Sequence, residues 1–66
     1  MNTNQLHDAW TAAAWTAILA SLDALRAHLD GDPDLEALRT VAKVAVAAAH
    51  DAAARYWQAV EEVNEL

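Results

Sequence analysis

The sequence predicts an all-α fold: an antiparallel helical hairpin that dimerises into a four-helix bundle. Three observations carry this. Alanine, leucine, glutamate and arginine, all strong helix formers, dominate the composition, and alanine alone supplies 18 of 66 residues. One breaker segment, Asp30-Gly31-Asp32-Pro33-Asp34, divides two long helix-forming stretches. Each stretch carries more apolar surface than a single neighbouring helix covers.

The first helix is predicted over about residues 3–30. Asn2 with Gln5 has the spacing of a capping box at its start. Gly31 supplies the left-handed conformation that closes a helix C-terminus. The turn is short, about 31–32, so the chain folds straight back. Asp32 is a good N-cap, and Pro33 suits a first helical position, where its missing N–H costs nothing. Asp34 and Glu36 then sit in the positive first turn of a second helix, predicted over about 33–64. Residues 1–66 thus read as one hairpin, with no linker and no internal repeat.

At about 100° per residue, Thr11, Trp15, Ile18, Leu22, Leu25 and Leu29 form one stripe of the first helix. His7 and Ala14 continue it, and Leu19 lies beside it. In the second helix Leu35, Leu38, Ala42, Ala45, Ala49, Ala52, Tyr56, Val60 and Val63 form the matching stripe. The three-and-four spacing is that of a helix pair. Both helices also have apolar shoulders: Trp10, Ala17, Ser21 and Ala24 on the first, and Val46, Ala53, Trp57, Val41, Val44 and Ala48 on the second. Ala9, Ala13, Ala20 and Ala27 make a further small-residue face on the first helix, either plain surface or another contact. Two hairpins packed together cover such faces, hence the expected two-fold homodimer.

Composition sets limits on function. Of 37 apolar residues, only 19 are larger than alanine, too few for an ample core in a lone chain of this length. The absence of cysteine excludes disulfides and thiolate metal sites. Four basic residues against ten acidic ones, a net charge of −6, argue against nucleic acid and anionic membrane as partners. The longest uncharged run, Ala9 to Leu22, is too short to cross a bilayer. The N-terminus has no basic segment of a secretory signal, so the expected setting is the cytoplasm or a recombinant soluble preparation.

In length, hairpin layout and heptad pattern the chain resembles the plasmid repressor-of-primer family, whose short helical hairpins dimerise into four-helix bundles. That family binds paired RNA loops through a basic, polar helix face. Here the first helix has Arg26 as its one Lys or Arg, so the resemblance implies the fold and not the RNA role. The Gly-Asp-Pro-Asp turn and alanine-rich helices also resemble de novo designed bundles.

The candidate site follows from where small residues fall. Facing residues across the hairpin should have numbers summing to roughly 64, given the position of the turn. Leu22, Leu25, Leu29, Leu35 and Leu38 would fill the seam near the turn. Farther out, Ala12, Ala13 and Ala14 lie level with Ala48, Ala49, His50, Ala52 and Ala53, and beyond them stand Trp10, Tyr56 and Trp57. A slot of small residues beside a histidine is what a heme or related metalloporphyrin needs. With turns at opposite ends, two copies of His50 would converge near the dimer axis. The expected cofactor-binding residues are His50, Thr11, Ala14, Trp15, Ala49, Ala53, Trp10 and Trp57, with His50 and His7 as candidate metal ligands. Thr11, Thr16 or Asp51 would accept the second N–H of the imidazole. Peroxidase-like chemistry would need an open axial position.

Two other readings fit the same residues. Consecutive seam alanines also serve plain close packing of two helices, which makes the chain a structural dimerisation module. A small-molecule binder or enzyme with His50 as general base would use the same cavity. His28, near a helix C-terminus, reads as structural, because positive charge is favoured there. A dinuclear carboxylate centre is not indicated: there is no Glu-x-x-His, and the glutamates sit at 36, 61, 62 and 65. A closed zinc site would need ligands from two chains. No Ser-His-Asp arrangement or phosphate-binding glycine loop is recognisable.

Overall fold

A computed structural model describes residues 2–64 as two antiparallel helices, α1 (Thr3–Asp30) and α2 (Leu35–Asn64). The local signals act as predicted. The Asn2 side chain accepts from the Gln5 backbone N–H at 2.8 Å, and Gln5 Oε1 accepts from the Asn2 N–H at 3.2 Å. This reciprocal box satisfies donors that the first helical turn leaves free. At the other end Gly31 adopts φ 66° and ψ 33°. Its N–H donates to the His28 carbonyl, and the Asp32 N–H donates to the Ala27 carbonyl at 2.9 Å. This is the Schellman arrangement, and glycine is suited to it because it has no Cβ to strain.

Helix α2 begins two residues later than the sequence predicts, and the reason is local. Asp32 does cap: its Oδ1 accepts from the Asp34 N–H at 2.8 Å. The Leu35 N–H then donates to the Asp32 carbonyl, a tight three-residue step, and the first four-residue bond runs from Leu38 to Asp34. The opening turn is narrowed, as is common at helix termini.

The seam between the helices differs from the predicted one on α1. The residues of α1 that are buried or half-buried are Thr3, Leu6, Trp10, Ala13, Ala14, Ala17, Ala20, Ala24 and Ala27. Trp15, Ile18, Leu22, Leu25 and Leu29, expected to fill the seam, are exposed, and Leu29 reaches 74%. On α2 the predicted stripe turns inward except at its end: Leu35, Leu38, Ala42, Ala45, Ala49, Ala52, Tyr56 and Val60 are all at least half-buried, while Val63, in the last turn, is exposed. The expectation failed on α1 because it ranked faces by side-chain size. Two long helices joined by a short turn gain more from close backbone approach, and alanine on both sides permits that approach. The face of Ala13, Ala20 and Ala27 is therefore the hairpin contact, together with Ala17 and Ala24 from the predicted shoulder. Ala9 remains exposed.

The result is a rod with Cα extents of 53 × 15 × 13 Å. Its radius of gyration is 15.2 Å, whereas a compact chain of this length would have about 11 Å. Ala17, Ala27 and Ala45 are the only buried apolar residues among those described. No described helix is long and apolar enough to cross a membrane.

The seam makes a direct prediction. Ala45→Leu forces extra volume into the contact and should destabilise the helical state by about 1–3 kcal/mol. Ala47→Leu, on the outer face of α2, should change stability by less than about 0.5 kcal/mol. Paired thermal melts followed by circular dichroism would check the difference, and equal melting temperatures would contradict the alanine seam.

Candidate functional site

The open end of the hairpin holds a cluster of rings. Trp10 stacks on Tyr56 with centroids 5.4 Å apart and planes at 29°. Trp57 meets Tyr56 edge-on at 5.2 Å and Trp10 at 6.2 Å. The His7 imidazole adds its own edge contacts, at 5.4 Å to Tyr56 and 6.0 Å to Trp10. All lie in the range where aromatic pairs contribute beyond area burial. The positions follow from helix geometry: 7 and 10 are one turn apart on α1, and Tyr56 approaches from α2.

Next to this cluster α1 carries an open groove of about 240 Å³, lined by His7, Trp10, Thr11, Ala14, Trp15 and Ile18. It continues through Ile18 into a second trough with Ala17, Ser21, Leu22, Leu25 and Val46. Leu25 leads on to a third trough, with Ala24, His28, Leu35 and Arg39. The three form one mainly apolar face along α1, and no carboxylate lines it. The other side of the hairpin has a depression near the turn lined by Asp23, Arg26, Asp30 and Asp32, and beside it a mainly apolar trough with Thr16, Leu19, Ala20, Leu38 and Val41.

The structure divides the predicted cofactor residues into four groups. Trp10, Thr11, Ala14 and Trp15 share the groove with His7. Trp57 belongs to the ring cluster beside it. Ala49 and Ala53 are half-buried on α2, on the side that meets α1. His50 is exposed and lines none of the three troughs. Ala13, Ala14, Ala49, Ala52 and Ala53 of the alanine block are half-buried between the helices, whereas Ala12 and Ala48 are exposed.

The expected imidazole acceptors also have local partners. Thr11 Oγ1 donates to the His7 carbonyl at 2.9 Å, and Thr16 Oγ1 donates to the Ala12 carbonyl at 3.0 Å. Asp51 pairs with Arg55 at 2.9 Å, one turn along α2. Among the described residues no three His, Cys, Asp or Glu side chains gather to hold a metal ion.

Two contributors were undervalued by sequence reasoning. Ile18 links two troughs, and Tyr56 is the ring on which His7, Trp10 and Trp57 meet. A signal for Tyr56 was available: it lies on the inward stripe of α2 at the level where the α1 aromatics begin. Tyr56→Ala should lower stability by about 2 kcal/mol, a partial-burial share of the usual loss for a core ring. Tyr56→Phe keeps the ring and should stay within about 0.5 kcal/mol of the parent. Urea titrations of both variants would test this, and an unperturbed Tyr56→Ala would show that the cluster contributes little.

The chain matches no protein-family model, no curated protein and no solved structure.

Proposed function

We propose that the chain is a self-association module, a helical hairpin that dimerises through the apolar face of α1 into a four-helix bundle. One observation carries this: a continuous face of exposed large side chains, with Trp15, Ile18, Leu22, Leu25 and Leu29 each at least half exposed. Contiguous apolar surface of this kind marks an interaction site more often than a free surface.

The surface area supports the same reading. The lone chain exposes 5072 Å². A compact monomer of this mass would expose about 4,100 Å². The excess of about 1,000 Å² is close to the ~800 Å² that each partner contributes to a standard interface. Dimerisation would also supply large buried side chains to a chain whose buried apolar residues are three alanines.

The mass in solution tests the proposal. At about 100 µM, well above the ~1 µM dissociation constant that marks a moderate complex, sedimentation equilibrium should give twice the chain mass of 7.1 kDa. Replacing Ile18 and Leu22 together by Asp should weaken association at least about a hundredfold, because four apolar contacts per dimer are lost. A parent chain that stays at 7.1 kDa would overturn the proposal.

A second reading is a heme-type cofactor held in the assembled bundle, with His7 or His50 on the iron. The groove that starts at the His7 imidazole favours it, being apolar with one nitrogen ligand at its end. His50 is exposed in the single hairpin, outside that groove. A hemin titration followed at the Soret band would decide. The expected result is that His50→Ala titrates like the parent. Saturation at one heme per dimer, lost in His50→Ala or in His7→Ala, would establish the cofactor reading and identify the ligand.

A further inference from the structure

We propose that the two copies pair through α1 in antiparallel order, turns at opposite ends, with the leucines of each facing the Thr11 end of the other. The inference rests on the self-association reading and adds the arrangement.

The stripe of α1 is unevenly filled. Toward the turn its members are all leucines, Leu22, Leu25 and Leu29. Toward the open end it falls away to the groove around Thr11 and Ala14. Its six members, Thr11, Trp15, Ile18, Leu22, Leu25 and Leu29, are spaced by four, three, four, three and four, so they form one heptad seam. The midpoint of that seam is position 20.

Antiparallel pairing about this midpoint opposes Thr11 to the partner's Leu29, Trp15 to the partner's Leu25, and Ile18 to the partner's Leu22. Every seam residue then has a seam residue facing it, and the smallest faces a leucine. The groove from His7 to Ile18 receives the partner's leucines, and two-fold symmetry repeats this at the other end. Parallel pairing gives self-opposed layers instead. Trp15 would meet Trp15, and the grooves around Thr11 and Ala14 would face each other unfilled. A void in a packed contact forfeits dispersion and burial, so the antiparallel arrangement is the better packed one.

A register antiparallel about position 20 can be trapped chemically, because the chain has no cysteine of its own. Two full-length variants, Thr11→Cys and Leu29→Cys, would be mixed, exchanged under reducing conditions and then oxidised. Both positions are exposed in the hairpin, so the seam between α1 and α2 is left intact. Antiparallel pairing brings residue 11 opposite residue 29 of the other copy, within the roughly 7 Å limit for Cα atoms in a disulfide. Like positions would then lie about 27 Å apart along the helix. The expected product is the mixed Thr11→Cys/Leu29→Cys disulfide, in at least about tenfold excess over either homodisulfide. Homodisulfides from a sample with dimer mass would overturn the antiparallel order. A dimer that forms neither would remove α1 from the interface and overturn the inference. A monomeric mass would overturn the association reading itself.

Discussion

The close contact of alanine with alanine between α1 and α2 governs the rest of this structure. A helix pair can be joined by interleaved large side chains or by backbones brought near each other across small ones. This hairpin takes the second course. Ala17, Ala27 and Ala45 are buried in the contact, and most of the other alanines along it are half-buried. Beyond Leu6 and Trp10 at the open end, the large residues on α1 then have no place inside. They cover the flank instead, and their exposure in the lone hairpin is the counterpart of the narrow seam. The rod shape, the small core and the long apolar face all follow from one choice of contact residue.

The same choice redistributes the candidate site. A row of alanines with a histidine beside it has two meanings, a slot for a ligand or a track for another helix. Ala49 and Ala53 take the second meaning, which leaves His50 on the surface. The concave apolar surface lies instead on α1, next to His7 and the Trp10–Tyr56 stack. Its polar content is slight: one imidazole and the hydroxyl of Thr11, already donating to the backbone. Such a groove suits an apolar side chain better than a reaction that needs several converging polar groups.

How much was legible in the sequence depends on the range of the interaction. The capping box at Asn2 and Gln5, the left-handed Gly31 and the Asp32 cap are contacts between near neighbours, and each could be read from spacing. The inward face of α2 was legible because Leu35, Leu38, Tyr56 and Val60 share one stripe with the alanines between them. Helix α1 has two apolar faces, one of alanines and one of large side chains, and periodicity does not say which meets α2. That choice belongs to packing between helices, where the partner's surface decides. His50 lies beside the inward stripe of α2, and its rotation about the helix leaves it exposed. The surplus of apolar faces was visible from the start, since it needed only the helical period.

The polar contacts of the side chains have one more property in common. Every side-chain hydrogen bond and ion pair among the described residues joins positions no more than four apart in the chain. None ties α1 to α2. The two helices therefore meet along a nearly uniform track, on which a slide of one turn, about 5.4 Å, would set alanine opposite alanine again. Only two features act as end-stops: the turn at Gly31, which allows no slack, and the ring cluster at the other end, whose bulk fits in one place. The alignment of the whole hairpin is thus fixed at its two extremities, while the middle supplies cohesion without choosing a position.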